Sequence, residues 1–206
     1  MKFVKIVLVA LVLVLNLVIV QPSWAGKKFT QNPDYIEVTQ ALDSALQAQQ
    51  TEGITPENVQ KIANLQFQKY VIETGKNYGE CRNETGKTLV IYGKKPKKSP
   101  STYDNALYFL PDGETTDDGW DCDGIYLPSD AKVAGLKTPE GSSSSALAYK
   151  IVNGTRLVAK ANPETSELQF NVPPAKLFKS GEANWLIPDT VQSLVDAGIA
   201  QAPIDD

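Results

Sequence analysis

The apolar pattern of this chain changes period at Gly75, and that switch constrains its fold more than any other feature. Before Gly75 the spacing is helical. Asn32-Pro33-Asp34 reads as a helix start, with Asn32 as N-cap and Pro33 at the first helical position. Tyr35, Val38, Leu42, Ala45 and Leu46 then recur at helix spacing to about Gln50. Thr55-Pro56-Glu57 opens a second helix carrying Val59, Ile62, Ala63, Phe67, Tyr70 and Val71, with Gly75 as its stop. The short link through Gly53 predicts an antiparallel helical hairpin.

Beyond Gly75 the apolar residues gather in short β-rich runs: Thr88–Tyr92, Ala106–Leu110, Ile125–Leu127, Leu147–Val152, Thr155–Ala159 and Leu168–Val172. Asn153-Gly154 between two such runs predicts a type I′ hairpin. Asp189 is placed to cap a last short helix with Val191, Leu194 and Val195, stopped by Gly198. Ser142 to Ser145 reads as a loop. Helices first, then strands, then one helix predict an α+β fold: an N-terminal helical hairpin packed on an antiparallel β-sheet, with a short C-terminal helix. The expected core comprises Leu42, Leu46, Val59, Ile62, Phe67, Leu89, Ile91, Leu107, Phe109, Leu147, Ile151, Leu157 and Phe170.

The first 25 residues read as an address rather than as part of that fold. Lys2 and Lys5 precede an apolar run from Ile6 to Val20, and Ser23 and Ala25 occupy the small-residue positions of a signal-peptidase site. At 1.5 Å per residue the run spans about 22 Å, short of the roughly 30 Å of a hydrocarbon core. The expectation is a cleaved signal peptide (1–25) and one exported domain (26–206), with an uncleaved anchor as the alternative. Losing Lys2 and Lys5 lowers the net charge of −4 by a further two. Such an acidic chain is unsuited to nucleic acid, whose phosphates need clustered Lys and Arg. In an exported protein Cys81 and Cys122 are expected to form a disulfide. Glu80, Asp121 and Asp123 flank them and disfavour a reactive thiolate.

The chain has no histidine, which removes imidazole-based triads and His-ligated metal sites. Two concentrations of charge remain. The acidic one runs from Gly113 to Asp130. One EF-hand register places Asp121, Asp123, Gly124 and Asp130 at loop positions 3, 5, 6 and 12, but puts Gly119 at position 1. Ca²⁺ is therefore a candidate ligand of Asp121, Asp123 and Asp130; the competing reading is a solvated loop pinned by Cys122 and a buried Trp120. The basic one is Lys94-Lys95-Pro96-Lys97-Lys98, a candidate docking loop for a partner protein complex or an anionic membrane surface. Its alternatives are an ordinary solvated hairpin loop and an intramolecular counterpart of the acidic stretch. Gly86-Lys87-Thr88 resembles the end of a P-loop, but it precedes a strand and lacks the first glycine. Ser129-Asp130-Ala131-Lys132, Tyr103-Asp104-Asn105 and Lys179-Ser180-Gly181 mimic the elements of penicillin-recognising enzymes in the wrong order. Asn83-Glu84-Thr85 and Asn153-Gly154-Thr155 match the glycosylation pattern.

The leader ending Gln-Pro-Ser-Trp-Ala, the histidine-free acidic chain, and the run Leu65-Gln66-Phe67-Gln68-Lys69-Tyr70 through Cys81-Arg82-Asn83-Glu84-Thr85-Gly86 resemble exported cyanobacterial proteins of the thylakoid lumen or periplasm. The resemblance covers the leader and about 25 further residues. It implies a lumenal or periplasmic accessory protein associated with photosynthetic complexes, and it carries over no site residue. The leading expectation is thus a non-enzymatic exported protein that docks on a partner complex. The alternatives are a carboxylate-dependent hydrolase, which needs a deep cleft with two acids, and a calcium-binding module.

Overall fold

The computed structural model describes residues 31–136, 145–198 and 202. The leader and most of the Ser142–Ser145 loop lie outside them. No described helix is long and apolar enough to cross a membrane.

Both N-terminal helices start where their caps direct. In α1 (Pro33–Glu52) the Asn32 side chain accepts from Asp34 N at 2.8 Å. In α2 (Pro56–Thr74) Thr55 Oγ1 accepts from Asn58 N at 3.2 Å. Each cap satisfies one of the orphan N–H groups of a first turn. At the other end of α2, Gly75 N donates to Val71 O at 2.7 Å.

Eight strands follow among the described residues: β1 (Glu80–Glu84), β2 (Leu89–Lys94), β3 (Asn105–Leu110), β4 (Cys122–Leu127), β5 (Leu147–Lys150), β6 (Arg156–Ala161), β7 (Leu168–Phe170) and β8 (Lys176–Lys179). They form a five-stranded antiparallel sheet, β3-β2-β4-β5-β8, and a three-stranded sheet, β1-β6-β7. The last described element is α3 (Gln192–Val195). The α+β class stands, with two sheets in place of one antiparallel sheet. β1 runs parallel to β6, the whole larger-sheet excursion through β5 serving as the crossover.

The core lies between the sheets. Leu89, Ile91, Ile125, Leu127, Tyr149 and Ile151 of the larger sheet, or of its edge, meet Leu157 and Ala159 of the smaller one. Cys81 of β1 and Cys122 of β4 have their sulfur atoms at disulfide-bonding distance, with Cα atoms 6.0 Å apart, and so tie the sheets together. The outer face of the larger sheet buries Val90, Tyr92, Tyr126 and Phe178 beneath Ile187 and Val195 of the C-terminal segment. This double cover explains why Leu89 through Gly93 of β2 are all buried, as in a central strand packed on both faces.

The hairpin differs most from expectation. Its base packs through Val38, Ile72 and Val152, with Tyr35, Leu65 and Ala175 around them. Further out it stands clear of the sheets. Of the core residues expected there, Ile62 is buried, but Leu46, Val59 and Phe67 are 37%, 46% and 67% exposed. Leu89, Ile91, Ile151 and Leu157 are buried as expected, while Leu107, Phe109, Leu147 and Phe170 are half-buried at the margins.

Asn153-Gly154 forms a turn, but one that passes from β5 in one sheet to β6 in the other. Thr155 N donates to Val152 O at 3.2 Å, and Gly154 alone of the central pair has positive φ, the form of a type II turn rather than I′. Gly154 is required there for space as well. A Cβ on it would lie 2.9 Å from Val71 O, and one on Gly75 would lie 2.9 Å from the Gly154 Cα. The two glycines let the end of α2 rest directly on the turn. Asp189 does not cap α3; the first helical N–H, that of Gln192, donates instead to Asp130 Oδ1 at 3.0 Å.

Candidate functional site

Charged side chains gather where the hairpin meets the larger sheet. Lys150 of β5 reaches Asp34 at 2.6 Å and Glu37 Oε2 at 3.2 Å, and Lys176 of β8 holds Glu37 Oε1 at 2.8 Å. The Lys150 and Asp34 side chains are only 14% and 15% exposed, so removing either would strand a largely desolvated charge. Burial works against the Lys150 ammonium, yet Asp34 and Glu37 hold its pKa above the usual lysine value. Burial likewise opposes the Glu37 carboxylate, and Lys176 and Lys150 together bring it below its usual range.

Asp121 and Asp123 flank Cys122 beside this junction. Desolvation lifts the Asp121 carboxyl although Gly79 N donates to its Oδ1 at 2.8 Å. Asp123 is pushed up further, to about 7, first by desolvation and then by the charges of Asp121 and Asp34, which Lys150 only partly offsets. The sequence singled out Asp121 and Asp123 but none of Asp34, Glu37, Lys150 or Lys176. Glu37 and Lys150 are 113 positions apart, and no local pattern announces such a pair.

Asp130 does not join the other two aspartates. It lies beyond the opposite end of β4, bonded to Gln192 N. Among the described residues, no three Asp, Glu, Cys or His side chains are grouped as a metal ion would require. In the acidic stretch Asp118 binds Lys76 at 2.6 Å and also accepts from the Tyr78 hydroxyl. Half-buried Trp120 meets Tyr108 edge-on at 5.2 Å.

The basic loop follows β2. Lys95 serves as a strap, its Nζ donating to Ser101 O at 3.0 Å and Tyr103 O at 2.8 Å. Lys94, Lys97 and Lys98 are exposed, and none of the four lysines forms an ion pair among the described residues. The loop is therefore not bonded to the acidic stretch, although the Lys94 charge does act on Asp121. Asn83 is fully buried, its amide donating to Lys87 O and Leu110 O, so in the folded chain it braces the β1–β2 turn rather than presenting a glycosylation site. Ser129 Oγ donates to Thr190 O at 3.1 Å, and it lines one cavity with Lys132.

Several concavities mark the surface of the described residues, and neither Asp121 nor Asp123 lines the four best formed. A narrow apolar groove of about 140 Å³ runs along the hairpin base between Phe67 and Val71 of α2 and Val172 to Ala175. From its lip an uncharged stripe continues outward along α2: Val59, Ala63, Phe67 and Tyr70, all exposed. Their spacing of four, four and three residues sets them on one helix face. Val71 and Ile72 lie on the inner side, against the body. No family model, curated protein or solved structure matches this chain.

Proposed function

We propose that this is a non-enzymatic accessory protein of an exported compartment, which docks on a partner protein complex through its helical hairpin. The observation that carries the reading is the outward stripe of α2, where Phe67 and Tyr70 are 67% and 62% exposed. Large aromatics lying open in a row cost solubility and are the residue types that anchor interfaces. Their helical spacing suits a helix of the partner, seated as ridges in grooves. The ion pairs at Lys150 and Lys176 support the same reading, because they hold the hairpin base while its outer half stays free of the sheets. The exposed Lys94, Lys97 and Lys98 form a second, electrostatic patch, suited to steering toward an acidic partner rather than to holding it. The leader-like N-terminus and the paired cysteines agree with an exported site of action such as a thylakoid lumen or periplasm.

The test places a photo-crosslinking amino acid at position 67, and in a control at Lys160, in protein expressed in its native cells. A defined partner band from position 67 that is absent from Lys160, and that Tyr70→Ser depletes, is the expected result. Capture of only a second copy of this chain, or the same bands from both positions, would overturn the reading. Replacing Lys94, Lys97 and Lys98 by Gln should slow association and make it less salt-dependent; unchanged capture would remove the loop from the account.

A further inference from the structure

A second concavity, remote from the hairpin, has the character of a ligand site. It opens between the two sheets where four segments converge: the β1–β2 turn, the chain after β4, the β6–β7 turn, and the start of α3 at Gln192. Its volume is about 350 Å³, within the size range of small-molecule sites. The floor is apolar, made by Leu89, Ala161 and Leu168. Lys87 and Lys132 stand on the walls, and among the described residues neither forms an ion pair. This sets them apart from their neighbours Arg82 and Lys160, both of which are bound to Glu84. The one carboxylate on the wall, Asp130, already accepts from Gln192 N. Glu167 faces a neighbouring cavity that shares Lys132.

Of the other polar groups on the wall, Asp130 Oδ2 and Gln192 Oε1 can only accept, while Asn162 and Ser166 offer donors. Asn162 Oδ1 is occupied by Glu164 N and Thr165 N, which leaves its Nδ2 open to the cleft, and among the described residues no partner holds the Ser166 hydroxyl. Ser166 is also the one described non-glycine residue with positive φ, at 57°. Backbone strain of this kind in a side chain that lines a cleft is a feature of ligand sites. Two ammonium groups, an amide and a hydroxyl above a hydrocarbon floor match an anion with an apolar body, in a protein whose net charge is otherwise negative.

We propose that this cleft binds a small organic carboxylate, its charge held between Lys87 and Lys132 and its hydrocarbon part resting on Leu89, Ala161 and Leu168. The ammonium pair supplies the attraction, and the floor selects against anions with no apolar surface to bury. This inference does not depend on the docking role of the hairpin.

The probes are benzoate, benzamide of the same shape without the charge, and acetate with the charge but little body. Each is titrated into the ¹⁵N-labelled protein. Benzoate should give saturable shifts at the backbone amides of Gly86, Lys87, Lys132 and Ser166, with benzamide and acetate at least tenfold weaker. Lys87→Gln with Lys132→Gln should weaken benzoate at least tenfold and leave the rest of the spectrum in place. A control pair, Lys61→Gln with Lys179→Gln, should leave benzoate affinity unchanged. Equal binding of benzoate and benzamide, equal binding of benzoate and acetate, no shift at those amides, or equal loss in the control pair would overturn the proposal.

Discussion

Replacing Asp123 by Asn should make the protein more stable at neutral and alkaline pH, with the gain fading as the medium is acidified. Asp123 titrates near 7 in the folded protein against an ordinary 3.8, so folding favours its protonated form. Its contribution is fully present below pH 3.8 and is lost as pH rises through about 7. Each tenfold difference in proton affinity corresponds to about 1.4 kcal/mol, so the wild type should lose on the order of 3 kcal/mol from this group between pH 5 and pH 8. Asp121 is shifted in the same direction and adds to the slope. Glu37, Glu73, Glu84 and Asp118 are held below their usual values, so their stabilisation disappears only as pH falls below the ordinary carboxylate range, outside this window. Urea denaturation of wild type and Asp123→Asn at pH 5, 6.5 and 8 separates the two effects. The difference in unfolding free energy should grow toward pH 8 by at least 1.5 kcal/mol, roughly half the full effect. A constant difference across the three conditions would refute the claim that the buried carboxyl and its neighbours Asp34 and Asp121 set this slope.

Three further outcomes are expected. Cys81→Ser with Cys122→Ser opens a crosslink between positions 41 apart and should cost about 4 kcal/mol in urea unfolding; a loss under 1 kcal/mol would contradict the bridge between sheets. Gly154→Ala forces a left-handed alanine at φ +82° and a Cβ 2.9 Å from Val71 O, so it should destabilise by about 2 kcal/mol or more and speed amide exchange at the end of α2. Ser166→Gly relieves the positive φ and should raise stability by about 1 kcal/mol in thermal unfolding; an unchanged midpoint would contradict strain at this residue.

What was legible in the sequence was local chemistry. Asn32 and Thr55 announced their helices because a cap is a bond to a residue two or three positions away. Cys81 and Cys122 were legible because they are the only two cysteines. β1 was not legible: Glu80-Cys81-Arg82-Asn83-Glu84 looks polar, and its buried positions are a cysteine and an amide whose partners lie in distant segments. The apolar stripe through Phe67 is present in the periodicity, but it lies on the surface rather than in the core. Periodicity reports that one face is apolar and is silent about what covers it. Asn153-Gly154 announces a turn, but a two-residue signal cannot say which sheet the next strand will join. The Lys150 cluster escaped because its members come from α1, β5 and β8, and only the folded topology makes them neighbours.

The one-ended attachment of the helical pair gives it mechanical leverage. A rod of 20 helical residues is about 30 Å long, so a tilt of about 5° at its root swings the far end by roughly 3 Å. Loosening a single ammonium–carboxylate clasp near Asp34 would therefore be felt as a shift of nearly an atom's diameter at the Gly53 bend, while the sheets beneath stay still.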